Sequence, residues 1–529
     1  MIRVPAVPVP LDAAEREWPA MVAALLKTRP DQVRACRLVK RSVDARRKGD
    51  VHLRLTLDVE VAGDEEAILK RCHGLQVSKA PVPFVSPTRA AGRSFRRRPV
   101  VVGCGPAGLF AALTLAKAGA MPLLVERGQD ALTRKARVDA FFAGGPLDPE
   151  SNIQFGEGGA GTFSDGKLST GIKDPRCAEV LNTFAACGAP DEILWQAKPH
   201  IGTDHLLPVV RNMRLALEAL GGTVRFGTRL TGLIIERGVL RGVRLGSEEI
   251  ETDAVVLAIG HSSRDTFEML RDAGVSMKAK PFSIGARVEH PQGMIDRAQY
   301  GSFAGHAALG AAEYKLSARL AGGRGVYTFC MCPGGVVVAA ASEAGGVVTN
   351  GMSAFARDGA NANSALLVNV GPEDFGGGPL SGMEFQRRWE RLAFDMGGGK
   401  YRAPAQLVGD FLSGRATRDL GGVTPTYRPG VTPGDLRGCL PPFVTEAMAE
   451  GIRRFERQLH GFAMPDAVLI GVETRSSSPV RVERDETGQA FPRGLYPAGE
   501  GAGYAGGILS AAADGIYIAE RVLSAKLAE

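Results

Sequence analysis

An acid, an ammonium, a thiol and a guanidinium mark three short stretches of this chain. Asp165 and Lys167 close the glycine-rich run FGEGGAGTFSDGK (155–167), Cys332 follows Cys330 in YTFCMCP, and Arg475 lies in VETRSSSP. An arginine presents a planar fork of donors that clamps a carboxylate, and a lysine ammonium offsets negative charge developing on a bound group. A cysteine becomes a nucleophile when nearby positive charge favours its thiolate. If YTFCMCP is a strand, Cys330 and Cys332 share one face, because side chains repeat every second residue. A disulfide between them would close a very small, strained ring and is not expected. Each group also has a plainer alternative: a loop-fixing ion pair for the charged residues, apolar filling for the thiols. His261 and His290 are lone histidines beside strand ends, and both read as structural hydrogen-bonding residues. The eight cysteines contain no CxxC pair, so no structural zinc site and no metal are expected.

These groups need a frame, and the clearest one is RRRPVVVGCGPAGLFAALTLAKAGAMPLLVERG (96–128). A short apolar strand runs into Gly103, Gly105, Pro106, Ala107 and Gly108; an amphipathic helix and a second apolar strand follow. In that order the first glycine allows the tight turn, the second lets a pyrophosphate touch the backbone, and the third lets helix pack on sheet. The helix N-terminus offers free N–H groups and the positive dipole end to phosphates. Glu126, 18 residues past Gly108, ends the second strand where a carboxylate takes ribose hydroxyls. The spacing predicts dinucleotide binding. Five glycines in the thirteen residues 155–167 then make a second loop that lies against the same ligand, with Gly158, Gly159 and Gly161 letting the backbone approach.

At 529 residues the chain exceeds one ordinary core, so two or three domains are expected. Hydrophobic content of 44% with 23% charged residues excludes disorder, and no apolar run reaches the ~18 residues that span a bilayer. The N-terminus lacks a basic head followed by an apolar stretch, so no signal peptide is expected and the thiols read as reduced, in a cytoplasmic protein. Residues 1–98 carry 20 Lys+Arg against 11 Asp+Glu, while the whole chain is only +7, so the basic surplus belongs to one end. That end suits an acidic partner, RNA included, or is a solvated basic face. Period-two alternation in VRACRLVKRSVDAR and VHLRLTLDVEVAG predicts strands. DAAEREWPAMVAALLK and DEEAILKRC predict helices, each with an aspartate at its N-cap. The prolines of 79–95 predict a linker.

The word GPAGLFAALTLAKAG…LLVERG resembles the FAD fingerprint of flavoproteins of the glutathione-reductase and para-hydroxybenzoate-hydroxylase type. TVRFGTRLTGLIIE, EIETDAVVLAIGHSS and GLYPAGEGAGYAGGILSAAADGIYIAERV resemble the later elements of that architecture, in which the dinucleotide domain is interrupted and returns at the C-terminus. Beyond these, NIQFGEGGAGTFSDGKLSTG, FSIGARVEHPQ, YTFCMCPGG, NANSALLVNV and GVETRSSSPVR make the chain resemble, over nearly its full length, a bacterial family of uncharacterised FAD-dependent dehydrogenases. The resemblance implies an α/β fold: an interrupted Rossmann-like FAD-binding domain (96–264 and 466–529), an inserted α+β antiparallel-sheet substrate domain (265–465), and a basic α+β module of ferredoxin-like type (1–95). It implies that Arg127, Ala160, Leu230, Gly260, Glu500, Gly501, Gly506, Gly507 and Ile508 join the glycines and Glu126 around FAD. Leu230 would lie near the adenine, Glu500 at the ribityl or pyrophosphate side, and the N–H groups of Gly507 and Ile508 at flavin N1 and O2. YTFCMCP would then lie by the flavin face. The implied function is an FAD-dependent oxidoreductase passing hydride between flavin N5 and a small organic substrate, with NAD(P)H as a transient donor. Two alternatives are an RNA-modifying flavoprotein using the basic module and a flavin monooxygenase. The fingerprint occurs once, and 155–167 holds no cysteine, so a dithiol relay in that loop is not expected.

Overall fold

The computed structural model describes residues 1–72, 76–82, 84, 85, 87 and 95–525. Its centre is a five-stranded parallel sheet built from very short apolar runs such as Val100–Val102 and Leu123–Val125, every residue of which is buried. Strands covered by helices on both faces read as continuous Val/Leu rather than as alternation. The order is Leu495–Pro497, Val255–Leu257, Val100–Val102, Leu123–Val125, Thr223–Arg225, all parallel. The chain therefore grows outward from Val100–Val102 in one direction and later returns to its other side. In open α/β sheets ligands bind at the strand carboxyl ends where this reversal occurs.

The turn after Val102 is shaped by contacts that exclude side chains. Gly103 has φ +101°, and a Cβ there would come 2.3 Å from the Ala258 carbonyl oxygen. A Cβ on Gly108 would come 1.8 Å from the Gly103 oxygen. The helix Pro106–Lys117 starts on a proline, whose missing N–H is not needed in the first turn. It packs against the closing helix Ile508–Ser524, close enough that a Cβ on Gly515 would lie 2.1 Å from the Ala107 oxygen.

The inserted unit is a seven-stranded sheet in the order Ser317–Arg319, Gly325–Cys332, Asn361–Val370, Phe282–Pro291, Val468–Glu473, Ala403–Leu407, Val431–Pro433. Val468–Glu473 lies in the interior of this sheet, so the unit runs past the expected boundary at 465. The chain returns to the dinucleotide fold only after Arg475, through Val480–Val482, which pairs with Met277–Ala279. The sheet is antiparallel except at its last pair, Ala403–Leu407 with Val431–Pro433, which is parallel. GVVVAAASEAGGVVT forms the strands Val336–Ala339 and Thr349–Met352, yet they pair with each other in a separate two-stranded sheet. The helices Ser381–Met396 and Pro442–Glu456 carry the sheet's apolar core, with Trp389, Met448, Ile452 and Phe455 buried against it.

Residues 1–72 with 78–79 form a four-stranded antiparallel sheet in the order Val33–Asp44, His52–Val61, Ile2–Val9, Ser78–Lys79. Trp18–Leu25 follows the first strand in sequence and Glu65–Arg71 the third. The prolines of IRVPAVPV hide the first strand in the sequence. A register shift between Val4 and Val7, with Ala6 at φ 55°, accommodates them while Ile2, Val4, Val7 and Val9 stay buried. Asp64 caps its helix, accepting from Glu66 N–H at 2.9 Å. Asp12 does not cap the other: that helix starts at Trp18, after a 3₁₀ turn in which Glu17 accepts from the Ala14 N–H. Several basic residues of this module face internal partners. Arg3 and Arg37 converge on the fully buried Asp58 at 2.7 and 2.9 Å, Arg46 pairs with Asp44, and Arg41 donates to the Ala308 carbonyl at 2.7 Å. Much of the linker at 79–95 lies outside the described residues. Among the described residues no helix is long and apolar enough to cross a membrane.

Candidate functional site

A cleft of about 1790 Å³, counting its open mouth, runs from the carboxyl ends of the parallel strands to the inserted sheet. Gly103, Gly105, Pro106, Ala107, Glu126, Arg127 and Leu230 line it. So do Gly159, Ala160, Gly161, Asp165, Lys167 and Arg475, together with Gly260, Glu500, Gly506, Gly507 and Ile508. Four expected members lie behind the wall. Gly108 packs on Gly103, a Cβ on Gly158 would strike Thr162 and Val210, and one on Gly501 would lie 2.4 Å from the Gly260 oxygen. Cys332 is fully buried and does not line the cleft. The first three glycines serve close packing around the cleft rather than contact with its contents.

The donor set suits an elongated anion. Two helix N-termini, at Pro106 and Ile508, open onto the cleft with first-turn N–H groups lacking intrahelical partners. A Cβ on Gly105 would meet nothing nearer than the Gly159 Cα at 3.8 Å, and Cβ atoms on Gly260, Gly506 and Gly507 would meet nothing within 4 Å. The space these glycines leave is the cleft itself, as a bound diphosphate and its flanking rings require. Glu126 accepts from the N–H groups of Cys104, Gly128 and Gly156 at 2.8, 2.9 and 2.9 Å. These fill about three of its four acceptor sites and fix the carboxylate in place. Arg127 bridges Glu150 and Asp265 over the Phe155 ring.

The glycine loop is held by a residue its own sequence does not announce. Arg134, fully buried, donates from Nε to the Asn152 carbonyl and from one terminal nitrogen to the Glu157 and Gly159 carbonyls at 2.7 and 2.9 Å. Asp165 accepts from Arg357 at 2.6 and 2.9 Å and from the Ser353 hydroxyl. Burial raises its carboxyl pKa, but Lys167 and Arg357 overcome this and hold it at about 2. Lys167 donates to the Met331 carbonyl and lies 3.5 Å from Glu313 and 3.6 Å from Asp165. Arg475 is bidentate to Glu390 at 2.8 and 3.0 Å and also donates to Ser262 and Ser342. Arg264 meets the other side of Glu390. His261 also lines the cleft; burial, with Arg475 and Arg264 beside it, depresses its pKa to about 3, so the ring is neutral. His290 is buried elsewhere, against the Phe462 carbonyl.

The strand Gly325–Cys332 departs from regular alternation. Phe329 pairs with Ala365 but Cys332 with Asn363, so one extra residue is inserted, and Cys330 stands at φ 44°. The two cysteines therefore do not share a face: Cys330 reaches the cleft while Cys332 turns inward, toward Arg287. Arg287, wholly buried, is bidentate to Glu473 at 2.6 and 2.9 Å and donates to the Cys330 carbonyl. Glu473, which lines the cleft two residues before Arg475, was the legible hint in VETR.

Glu500 carries a prediction of its own. Burial pushes its carboxyl up to about 7, against the opposing pull of Lys280. The folded state then keeps this proton from the usual carboxyl range up to about 7. Folding stability falls as pH rises through that window and levels off above it. In ligand-free protein, Glu500→Gln is expected to be more stable than the parent at pH 8 by about 2–3 kcal/mol, and equal to it at pH 4.5. Urea unfolding at the two pH values checks this, and equal offsets at both would contradict it.

Residues 281–476 match the family described as FAD-dependent protein, C-terminal domain-like, and residues 1–60 match a domain of unknown function. A Clostridium beijerinckii protein described as uncharacterized is 51% identical over 491 residues, 92% of each chain. Among solved structures, a geranylgeranyl bacteriochlorophyll reductase-like protein of Thermoplasma acidophilum aligns at 15% identity over 80% of this chain and 77% of its own, with a TM-score of 0.36. L-proline dehydrogenase from P. horikoshii aligns at 12% identity over 81% and 94%, with a TM-score of 0.34.

Proposed function

The chain belongs to the family of FAD-dependent proteins, and from that premise we propose that this flavoprotein oxidoreductase transfers hydride between FAD and a small organic molecule admitted beside the inserted sheet. The observation that carries the reading is the shared cleft: glycines and helix N-termini of the nucleotide fold line the same space as Cys330 and Glu473 of the inserted sheet. When bound, FAD supplies two-electron chemistry at its isoalloxazine ring.

The chain's own groups supply binding and orientation. Gly103, Gly105, Pro106 and Ala107, at the positive end of the Pro106–Lys117 helix, would take the pyrophosphate. Glu126, already oriented by three N–H donors, would accept from ribose, with Leu230 against the adenine. Gly159, Ala160 and Gly161 would lie along the chain joining the two halves, and Glu500 would meet its hydroxyls. Gly507 and Ile508 would offer N–H groups to the ring's anionic edge, where the dipole of Ile508–Ser524 favours negative charge. Lys167 lines the same cleft as a second positive group. Asp165 and Arg475, fully occupied by Arg357 and Glu390, would shape the pocket rather than clamp a carboxylate.

Anaerobic addition of NADH, NADPH or candidate organic donors to the yellow protein is expected to bleach the flavin, one donor per flavin. Failure of every donor class would remove the dehydrogenase reading. Oxygen uptake coupled to substrate hydroxylation would replace it with a monooxygenase.

A further inference from the structure

We propose that Cys330 and Cys332 form a redox-active thiol pair that reduces small disulfides, with Cys330 as attacking sulfur and Cys332 as resolving sulfur. The proposal rests on the reading of the cleft as the FAD site, and it names a substrate class for that cleft. Its basis is the bulge at Cys330–Met331. In a regular strand, residues two apart have Cα atoms about 6.6–6.8 Å apart, at the upper limit for a disulfide. The extra residue and the left-handed backbone of Cys330 break that spacing, and the Cys332 thiol turns back to donate to the Cys330 carbonyl at 3.3 Å. The arrangement is asymmetric in the way such chemistry needs: Cys330 faces the cleft and Cys332 is sealed behind it.

The surroundings favour charge on the outer sulfur. The Cys332 thiol lies against Cys330, donating to its carbonyl at 3.3 Å, Arg287 reaches across from Phe282–Pro291 to the same carbonyl at 3.0 Å, and Lys167 comes from the glycine loop. Three carboxylates oppose them. Glu473 is paired with Arg287, Asp165 is paired with Arg357, and Glu500 holds its proton up to about 7. The result lowers the Cys330 thiol below its usual range and raises Cys332. This is the division of labour between attacking and resolving thiols.

The steps balance. The Cys330 thiolate attacks one sulfur of R–S–S–R, forming a mixed disulfide and expelling one thiolate. Cys332 gives its proton to that thiolate, and its sulfur then attacks Cys330, expelling the second RS⁻, which takes a proton from water. The pair ends oxidised by two electrons and the substrate reduced by two. Restoring the thiolate–thiol pair takes two electrons and one proton, which reduced FAD held in the cleft would supply as a hydride equivalent. A strained disulfide is the easily reduced kind, so the small ring that makes this pair a poor structural staple makes it a serviceable carrier.

The test uses full-length, flavin-loaded protein exposed to oxidised glutathione, freed of excess and titrated anaerobically with dithionite. The parent is expected to take two electrons beyond those that bleach its flavin and to carry no glutathione; Cys330→Ser is expected to take only the flavin's share, and Cys332→Ser to hold glutathione on Cys330 as an unresolved mixed disulfide, seen by mass spectrometry. In parallel, iodoacetamide labelling mapped by mass spectrometry is expected to modify Cys330 first. The pH midpoint of that labelling should rise by about one to two units in Cys332→Ala, which removes the neighbouring donor. Equal electron uptake by the parent and Cys330→Ser, no glutathione held by Cys332→Ser, or an unshifted midpoint in Cys332→Ala would overturn the thiol pair while leaving the flavin reading intact. A protein that purifies without flavin would defeat the cofactor reading, and the labelling profile would still report on the pair.

Discussion

Gly105→Ala is expected to give a folded protein that purifies almost colourless. Gly105 has an ordinary extended backbone, φ −77° and ψ −177°, which alanine adopts without strain. Its added Cβ would touch nothing closer than 3.8 Å in the protein. The methyl would instead occupy the cleft at the helix N-terminus, where the pyrophosphate needs the backbone itself. An overlap of that kind costs about 3 kcal/mol, more than a hundredfold in affinity. Flavin absorbance per protein, set beside an unchanged urea midpoint, reads the effect. Gly108→Ala separates binding from folding: its Cβ would lie 1.8 Å from a backbone oxygen, so it should lose stability along with colour. If Gly105→Ala kept a full complement of flavin at parental affinity, the pyrophosphate would not lie over this helix.

The second large effect is expected at Glu390, which no part of the cleft exposes. This carboxylate sits between Arg264 and Arg475, all three buried, with Thr474 adding a hydroxyl donor. Against a burial penalty that would raise it, the two guanidiniums hold the carboxyl well below its ordinary range. Its contribution is therefore complete above the unfolded carboxyl pKa and is lost as pH falls through the folded one. Glu390→Ala leaves buried positive charge uncompensated and should cost about 3–5 kcal/mol at neutral pH. Urea unfolding measures it. A change within about 0.5 kcal/mol would mean that Ser262, Ser342 and Glu343 suffice to hold the two arginines.

What the chain disclosed in advance follows from the range of each interaction. The glycine turn, the acid at Glu126 and the returning C-terminal elements are local words, each recording a close approach of backbone to backbone or to ligand, and their residues meet along one cleft. The partners of the polar candidates are remote: Arg357 lies 192 residues from Asp165, and Glu390 lies 85 from Arg475. No spacing rule reports such pairs. The bulge in YTFCMCP escaped for another reason. Period-two reading assumes an unbroken ladder, and one extra residue reverses every side chain beyond it. The strand Ile2–Val9 was masked by prolines that its register shift tolerates.

The place of the last strand has a consequence for biogenesis. Leu495–Pro497 pairs beside Val255–Leu257, and the helix Ile508–Ser524 closes over Pro106–Lys117, so the first-made half of the nucleotide fold waits for the final few dozen residues. During translation, at roughly 5–20 residues per second, the inserted sheet can assemble from 282 to 473 while that half still lacks a wall. Cofactor capture thus waits for Leu495–Pro497 and Ile508–Ser524, and a polypeptide cut short before Leu495 would display a finished cap on an empty, unclosed nucleotide fold.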